Sequence, residues 1–123
     1  MLRCSEKPRR RGYGPLTILD TSVVIDRIRR RMRIDEMVTV VTLAEFPSIL
    51  EYAKFQESII YPTRDDMDLA VELQLKLRGR GRPKPFSDLL IAAICINRNE
   101  ELVTKDKNFH DIAEVSNLKI RFE

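Results

Sequence analysis

Short apolar runs rich in β-branched residues alternate with helical segments along most of this 123-residue chain, and no other feature restricts its possible folds as strongly. The apolar runs predict strands at residues 16–19, 37–41, 102–104 and 118–122, with a shorter apolar piece at 59–61. Helical spacing predicts helices that begin near residue 21 and at residues 42–54, 63–77, 88–97 and 110–115. Crossover connections between such strands make them parallel and put helices on both faces. The sequence therefore predicts an α/β fold with a mostly parallel sheet.

Polar and conformationally special residues mark the ends of these helices. We expect Thr21 or Ser22 to cap the first helix and Ser87 to cap the helix that follows it in the sequence. Gly79 is expected to end the third helix, before a loop over residues 79–85. Pro47 falls within the second predicted helix, so it is expected near the first turns or at a kink.

Size and composition indicate one globular domain. Hydrophobic residues make up 43% of the chain and charged residues 33%, which suits a soluble domain with one core. No apolar run approaches the roughly 18–20 residues of a membrane-spanning helix. The N-terminal residues lack the apolar core of a signal peptide, so we expect the cytoplasm. We divide the chain into a basic irregular arm, residues 1–15, and a folded domain, residues 16–123.

Cysteine and histidine are scarce, which argues against two classes of site. The chain has two cysteines, Cys4 and Cys95, which we expect to be free thiols, and one histidine, His110. A zinc site built from cysteine and histidine is therefore excluded in practice. A catalytic triad would have only His110 as its base.

Basic residues are concentrated in three places. The arm carries a net charge of +4, so the remaining residues carry −1 of the total of +3. Two further basic runs occupy residues 27–33 and 78–84. Such runs suit a polyanion such as nucleic acid, but they equally suit a solvated terminus and solvated helix ends, and composition leaves both interpretations open.

Four acidic residues follow the predicted strands or begin a helix near the same edge: Asp20, Glu45, Asp88 and Asp106. In an open parallel sheet, the functional site lies beyond the carboxyl ends of the strands, so these side chains are expected to converge on one cleft. Each also has an ordinary structural explanation. Asp20 could cap a helix, Thr42 and Glu45 match a capping box, Asp88 suits a first helical turn, and Asp106 suits a turn.

Convergence of these acids would have an electrostatic consequence. Two carboxylates about 5 Å apart repel by roughly 3 kcal/mol at an effective dielectric constant of about 20. A hard divalent cation such as Mg²⁺ or Mn²⁺ relieves that repulsion. Such a site supports metal-assisted phosphodiester hydrolysis without a histidine.

Four segments resemble the motifs of PIN-domain nucleases, in the same order along the chain. They are LDTSVVID at 19–26, VTLAEF at 41–46, FSDLLIAA at 86–93 and LVTKDKNF at 102–109. The resemblance implies a three-layer α/β/α sandwich with a twisted, mostly parallel sheet, and an Mg²⁺- or Mn²⁺-dependent endoribonuclease. It assigns the acidic cluster to Asp20, Glu45, Asp88 and Asp106, with Thr104 supporting it.

The same resemblance implies the partners of the protein. Small PIN proteins are commonly VapC-type toxins of toxin–antitoxin pairs, which form homodimers and are inhibited by an antitoxin tail that enters the acidic cleft. On this basis Asp20, Asp88 and Asp106 would hold the metal and Glu45 would complete or orient its ligand shell. Arg80, Arg82 and Lys84 would contact RNA. The alternative is a PIN-like module that binds or helps to process RNA with weak or no turnover and without an antitoxin.

Several nearby polar residues are expected to lie outside the site. Asp26 is nearly two helical turns beyond Asp20, and Asp111 would reach the cleft only through a favourable turn. His110 is expected at the surface. A phosphatase of the haloacid-dehalogenase class is disfavoured, because it needs a second aspartate where this chain has Ser22.

Overall fold

The computed structural model describes residues 16–123; the predicted basic arm, which includes Cys4, lies outside the described residues. The strands are β1 (Thr17–Leu19), β2 (Met37–Thr39), β3 (Ile59–Ile60), β4 (Glu101–Thr104) and β5 (Ile120–Phe122). The helices are α1 (Thr21–Arg29), α2 (Val40–Glu45), α3 (Arg64–Gly79), α4 (Phe86–Arg98) and α5 (Phe109–Glu114), with a 3-10 helix at Pro47–Glu51.

The five strands form one parallel sheet in the order β3-β2-β1-β4-β5. Side chains alternate between its faces, as the pleat of a strand requires. Ile18 and Leu102 pack beneath α3, α4 and α5, whereas Leu19 and Val103 pack beneath α1, α2 and the 3-10 helix. The sheet therefore lies between two helical layers, and the predicted three-layer α/β/α architecture is confirmed.

The second predicted helix, residues 42–54, is wrong in its extent. The chain forms α2 from Val40 and ends it at Glu45, and a separate 3-10 helix begins at Pro47. Proline has no N–H to donate and its ring clashes with the carbonyl four residues earlier, so α2 cannot continue through it. Phe46 has a φ of −143° and a ψ of 71°, outside the helical conformation that a following proline disfavours. Glu45 consequently stands at the end of a short helix.

The predicted helix caps also need correction. The residue that caps α1 is Asp20, whose side chain accepts a hydrogen bond from the Thr21 amide. Helix α4 begins at Phe86, after Pro85, so Ser87 lies inside its first turn rather than capping it. By contrast Thr63 caps α3 through a reciprocal capping box with Asp66. The correction to α1 matters for function, because the cap is one of the four acids.

A buried arginine fastens the last strand to the first helix. The Arg27 guanidinium donates two hydrogen bonds to the Glu123 carboxylate, at 3.1 and 2.7 Å, and one to Glu36 at 2.7 Å. The other arginines of the 27–33 run are exposed, and α1 leads them away from the carboxyl ends of the strands. Arg27 itself stays against the sheet, because its partner Glu123 follows β5 and donates its amide to the Thr104 carbonyl.

The remaining core features are ordinary for a compact α/β domain. Cys95 is a free thiol buried in α4, and burial raises its pKa well above the usual range. No helix within residues 16–123 is both long and apolar enough to cross a lipid bilayer.

Candidate active site

The candidate site lies at the carboxyl ends of β1 and β4, which are neighbours in the sheet although β2 and β3 intervene in sequence. The order of the strands reverses at this point, since the chain first builds outward from β1 to β3 and then returns to add β4 and β5 on the other side. Connections leave a reversal point in opposite directions and open a crevice there. Asp20 follows β1 directly, and Thr104 ends β4.

Asp20 is the most deeply buried of the four acids, with 5% of its surface exposed. Its Oδ1 accepts a hydrogen bond from the Thr21 amide at 2.7 Å. Its Oδ2 accepts two, from the Ser22 hydroxyl at 2.9 Å and from the Thr104 hydroxyl at 2.8 Å. These donors orient the carboxylate and compensate for the loss of water around it.

Thr104 connects Asp20 to Asp106. Its fully buried hydroxyl donates to Asp20 and accepts a hydrogen bond from the Asp106 amide at 2.9 Å. Asp106 Oδ1 in turn accepts from the Asn108 amide at 2.9 Å, which fixes the turn after β4. One hydroxyl therefore holds both a carboxylate and the backbone of the loop that carries another.

Replacing Thr104 tests this connection. Thr104→Val keeps the shape of the side chain but removes one of the two hydrogen bonds to Asp20 Oδ2 and the acceptor of the Asp106 amide. We expect it to lower the free energy of unfolding by about 1–3 kcal/mol, as measured by urea denaturation. The control is Thr104→Ser, which retains the hydroxyl and should lose much less. A loss in Thr104→Val that is no larger than the loss in Thr104→Ser would contradict the role of the hydroxyl.

Glu45 is the last residue of α2, in the helical layer that α1, α2 and the 3-10 helix form. Its Oε1 accepts a 2.6 Å hydrogen bond from the Thr21 hydroxyl. The same hydroxyl lies 2.9 Å from that of buried Thr42. Since the Thr21 hydrogen goes to Glu45, Thr42 must be the donor to Thr21. Thr42 and Glu45 therefore form no capping box: Thr39 is the residue before α2, and its side chain makes no capping hydrogen bond.

The pKa of Asp88 depends on the charges of the three other acids. Asp88 is half-buried in the first turn of α4, on the helical layer opposite α2. Burial, followed by the negative charges of Asp106, Asp20 and Glu45, raises the pKa of the Asp88 carboxyl to about 6, while Lys84 opposes the rise. The three other acids can act on Asp88 only because the fold brings all four to one edge.

These residues suit a hard divalent cation in their chemistry. Carboxylate oxygens are the preferred ligands of Mg²⁺ and Mn²⁺, and four of them near one another carry a charge that such an ion would neutralise. As they stand, no three acidic, histidine or cysteine side chains of the described residues form a group arranged to hold an ion. Asp20 and Glu45 are instead directed by their hydroxyl and amide donors.

The loop between α3 and α4, residues 80–85, is called the basic loop here. Hydrogen bonds and ion pairs hold it against α3 and α5. The carboxamide of Gln74 accepts from the Lys84 amide at 3.0 Å and donates to the Lys84 carbonyl at 2.6 Å. Asp111 pairs with the Lys84 ammonium at 2.6 Å and with Arg82 at 2.8 Å. Arg80, the third predicted RNA contact, is exposed.

Sequence reasoning overlooked part of this arrangement. Asp111 pairs with Lys84 and Arg82 of the basic loop, a contact that its spacing did not predict. Gln74 occupies an apolar helical position and gave no signal. Thr21 and Ser22 were expected as helix caps, and their hydroxyls bind acids instead. Asp26 pairs with Arg30 and Lys105.

Comparison with known proteins agrees with this architecture. Among solved structures, the fold is similar to that of VapBC2 from Rickettsia felis bound to a DNA fragment from their promoter (TM-score 0.68, 21% identity, 86% of this chain and 97% of that chain). It is also similar to VapBC-5 from Mycobacterium tuberculosis (0.68, 24%, 89% and 100%) and to FitAcB from Neisseria gonorrhoeae (0.68, 16%, 88% and 97%). A search of curated proteins gives no significant match.

A comparison with protein-family models settles the family. The model described as the PIN domain matches residues 17–115, which include all four acids and every strand except the last. PIN domains are in general nucleases, and VapBC-5, one of the similar structures, is a member of the VapBC family of toxin–antitoxin systems. The chain therefore belongs to the PIN domain family.

Proposed function

We propose that the protein is a divalent-metal-dependent endoribonuclease that hydrolyses RNA phosphodiester bonds at the acidic cluster. The observation that carries this proposal is the position of Asp88, whose pKa is raised to about 6 by burial and by three other acids. Crowding of ionised carboxylates opposes folding, so a cluster of this kind is typical of a functional site.

In this proposal the four acids have two different roles. Asp20, Asp88 and Asp106 hold an Mg²⁺ or Mn²⁺ ion, and Glu45 completes or orients its surroundings. A divalent cation there would polarise the scissile phosphate and lower the pKa of the attacking water. Thr104 keeps the Asp20 carboxylate and the Asp106 loop in position. Arg80, Arg82 and Lys84 supply positive charge for the RNA backbone.

We further propose that the protein is the toxin of a VapBC-type pair in the cytoplasm. The similar solved structures are toxin–antitoxin complexes, which supports a protein partner for this chain. The acidic cleft suits an arginine from an antitoxin tail. A homodimer is supported by an apolar strip on α3 and the start of α4, beside a groove of about 250 Å³; its exposed residues are Met67, Val71, Leu75 and Phe86. Sedimentation velocity on the purified chain measures that dimer.

RNA cleavage with a matched pair of variants tests the nuclease. Asp106→Asn keeps the oxygen that accepts from the Asn108 amide but removes the charge. Asp68→Asn makes the same change at an exposed position on α3, away from the cluster. We expect wild type and Asp68→Asn to cleave members of a panel of tRNA, rRNA and synthetic single strands in Mg²⁺ or Mn²⁺. Asp106→Asn should lose at least about 100-fold in rate, and EDTA should stop all cleavage.

Equal cleavage by Asp106→Asn and wild type would contradict the proposal. If wild type cleaves nothing, its melting temperatures with and without Mn²⁺ test the alternative of an RNA-binding module. Bound ligand stabilises by about 2.7 kcal/mol at a concentration 100 times its dissociation constant. Millimolar Mn²⁺ should therefore raise the melting temperature of wild type clearly, and no rise would favour the module without metal chemistry.

A further inference from the structure

Lys84 differs from the other cations of the basic loop in how firmly it is held. Its backbone is bound on both sides by the Gln74 carboxamide, at 3.0 and 2.6 Å. Its side chain is only 10% exposed. A lysine loses hydration and side-chain entropy when it is buried this far, so the contacts that hold it must offset a real cost. Arg82, by contrast, has a side chain that is 60% exposed.

The ammonium of Lys84 is fixed from two further elements. Asp111 on α5 binds it at 2.6 Å, and Asn108 in the loop after β4 accepts from it at 3.4 Å. A lysine ammonium has three hydrogen atoms to donate. Within residues 16–123 these contacts account for two, which leaves one donor for a ligand in the cleft.

Lys84 also lies close to the acidic cluster along the chain. It lies one residue before the cap of α4, and Asp88 is in the first turn of that helix. Its charge reaches Asp88, where it opposes the effect of the neighbouring acids. The Lys84 ammonium is also connected to the acids by contacts, because Asn108, which accepts from it, donates its amide to Asp106 at 2.9 Å.

We propose that Lys84 is a catalytic residue that binds the scissile phosphate of the RNA, and that Asp111 is the positioning residue that orients it. This inference rests on the proposed nuclease function and makes it more specific. A phosphate that enters the acidic cluster brings more negative charge, and a fixed ammonium beside it stabilises the charge that develops during hydrolysis. Arg80 and Arg82 are then left to hold the RNA farther along its backbone.

Kinetics can separate these two roles. Lys84→Gln should lower the saturated cleavage rate about 10- to 100-fold, the range expected when one hydrogen bond to a charged group is lost. Arg80→Gln should mainly raise the KM for RNA. Lys84→Arg, which keeps the charge, should recover part of the rate. The control is Lys119→Gln, which removes an exposed lysine at the amino end of β5. This variant should cleave RNA like wild type.

A second readout distinguishes a phosphate contact from damage to the site. Lys84→Gln should keep, or increase, the rise in melting temperature that Mn²⁺ causes, because it removes a positive charge near the acids. Asp111→Asn should also lower the cleavage rate, by a smaller factor than Lys84→Gln, and should keep the rise in melting temperature that Mn²⁺ causes. This variant also covers the case in which Lys84→Gln does not fold.

Three results would overturn the inference. One is a Lys84→Gln variant that cleaves at the wild-type rate. Another is a loss of the Mn²⁺ response together with the loss of cleavage, which would make Lys84 a structural support of the cluster. Both leave the proposed function standing. A wild-type chain with neither cleavage nor an Mn²⁺ response would remove the proposed function and this inference with it.

Discussion

The Asp88→Asn variant is expected to cleave no RNA and yet to melt at a higher temperature than wild type when no metal is present. Asp88 is half-buried, and its charge is opposed by burial and by Asp106, Asp20 and Glu45. Asparagine has nearly the same shape without the charge, so it removes that repulsion. For a domain of this size, a gain of about 1–2 kcal/mol after solvent screening corresponds to a rise of roughly 4–10 °C.

The effect should depend on pH with a definite sign. The folded-state pKa of Asp88 is about 6, above the value of 3.8 usual for an aspartate in water. Between these values the folded protein binds more protons than the unfolded chain, so wild type becomes more stable as the pH falls through 6. The variant has no such proton to bind. The difference in melting temperature should therefore be largest above pH 7 and nearly absent near pH 4.

Differential scanning calorimetry across pH 4–8, with and without Mn²⁺, measures both effects. Mn²⁺ should stabilise wild type at neutral pH and leave Asp88→Asn almost unchanged. Ser87→Ala is a useful control, because it alters the neighbouring residue of the same helical turn without changing the charge. If Asp88→Asn melts below wild type at neutral pH, Asp88 is a structural acid in the first turn of α4, and the metal site is wrong as proposed.

Replacement of Arg27 is expected to give the largest loss of stability. Its side chain is 9% exposed and joins α1 to two carboxylates, Glu36 and Glu123, each at 2.7 Å. Arg27→Met preserves packing volume but leaves both carboxylates partly buried without their cation. Removing one partner of a buried ion pair costs more than the pair contributes, so we expect a loss of about 2–4 kcal/mol in the free energy of unfolding. The melting temperature should fall by roughly 8–16 °C.

The control for this prediction lies on the same helix. Arg30→Met makes the same replacement where the side chain is 62% exposed and pairs with Asp26, so it should cost less than about 0.5 kcal/mol. Hydrogen bonding to Arg27 lowers the pKa of Glu123 below its usual value. The stabilisation from this contact is present above the unfolded-state pKa of Glu123 and is lost as the pH falls through the lowered folded-state pKa. A loss below 1 kcal/mol at pH 7 in Arg27→Met would contradict the role of Arg27 as a fastening of β5.

The order of strands and helices was largely predictable, because it follows from local periodicity. Each apolar run that predicts a strand forms one, although β2 ends two residues early at Thr39 and α2 begins there instead. The prediction failed most clearly over residues 42–54, where apolar spacing suggested one long helix. There Pro47 keeps Phe46 out of the helical conformation, and this covalent restriction outweighs the periodicity.

The convergence of the acids was also within reach of the sequence, whereas their immediate partners were not. Parallel strands place their carboxyl ends at one edge, so Asp20 and Asp106 had to be near each other once β1 and β4 were neighbours. The hydroxyl of Thr21 could have capped α1 or bound a distant acid, and local sequence does not distinguish these choices. It binds Glu45, 24 residues away.

By itself, the sequence determined the α/β class, the order of its elements and the residue types at the active edge, because apolar period and strand direction are local properties of a chain. Only the tertiary structure decided that Arg27 is buried between two carboxylates, that Asp111 pairs with Lys84, and that the pKa of Asp88 rises to about 6. The physical reason is that charge interactions and burial depend on distances between groups far apart along the chain, and packing sets those distances.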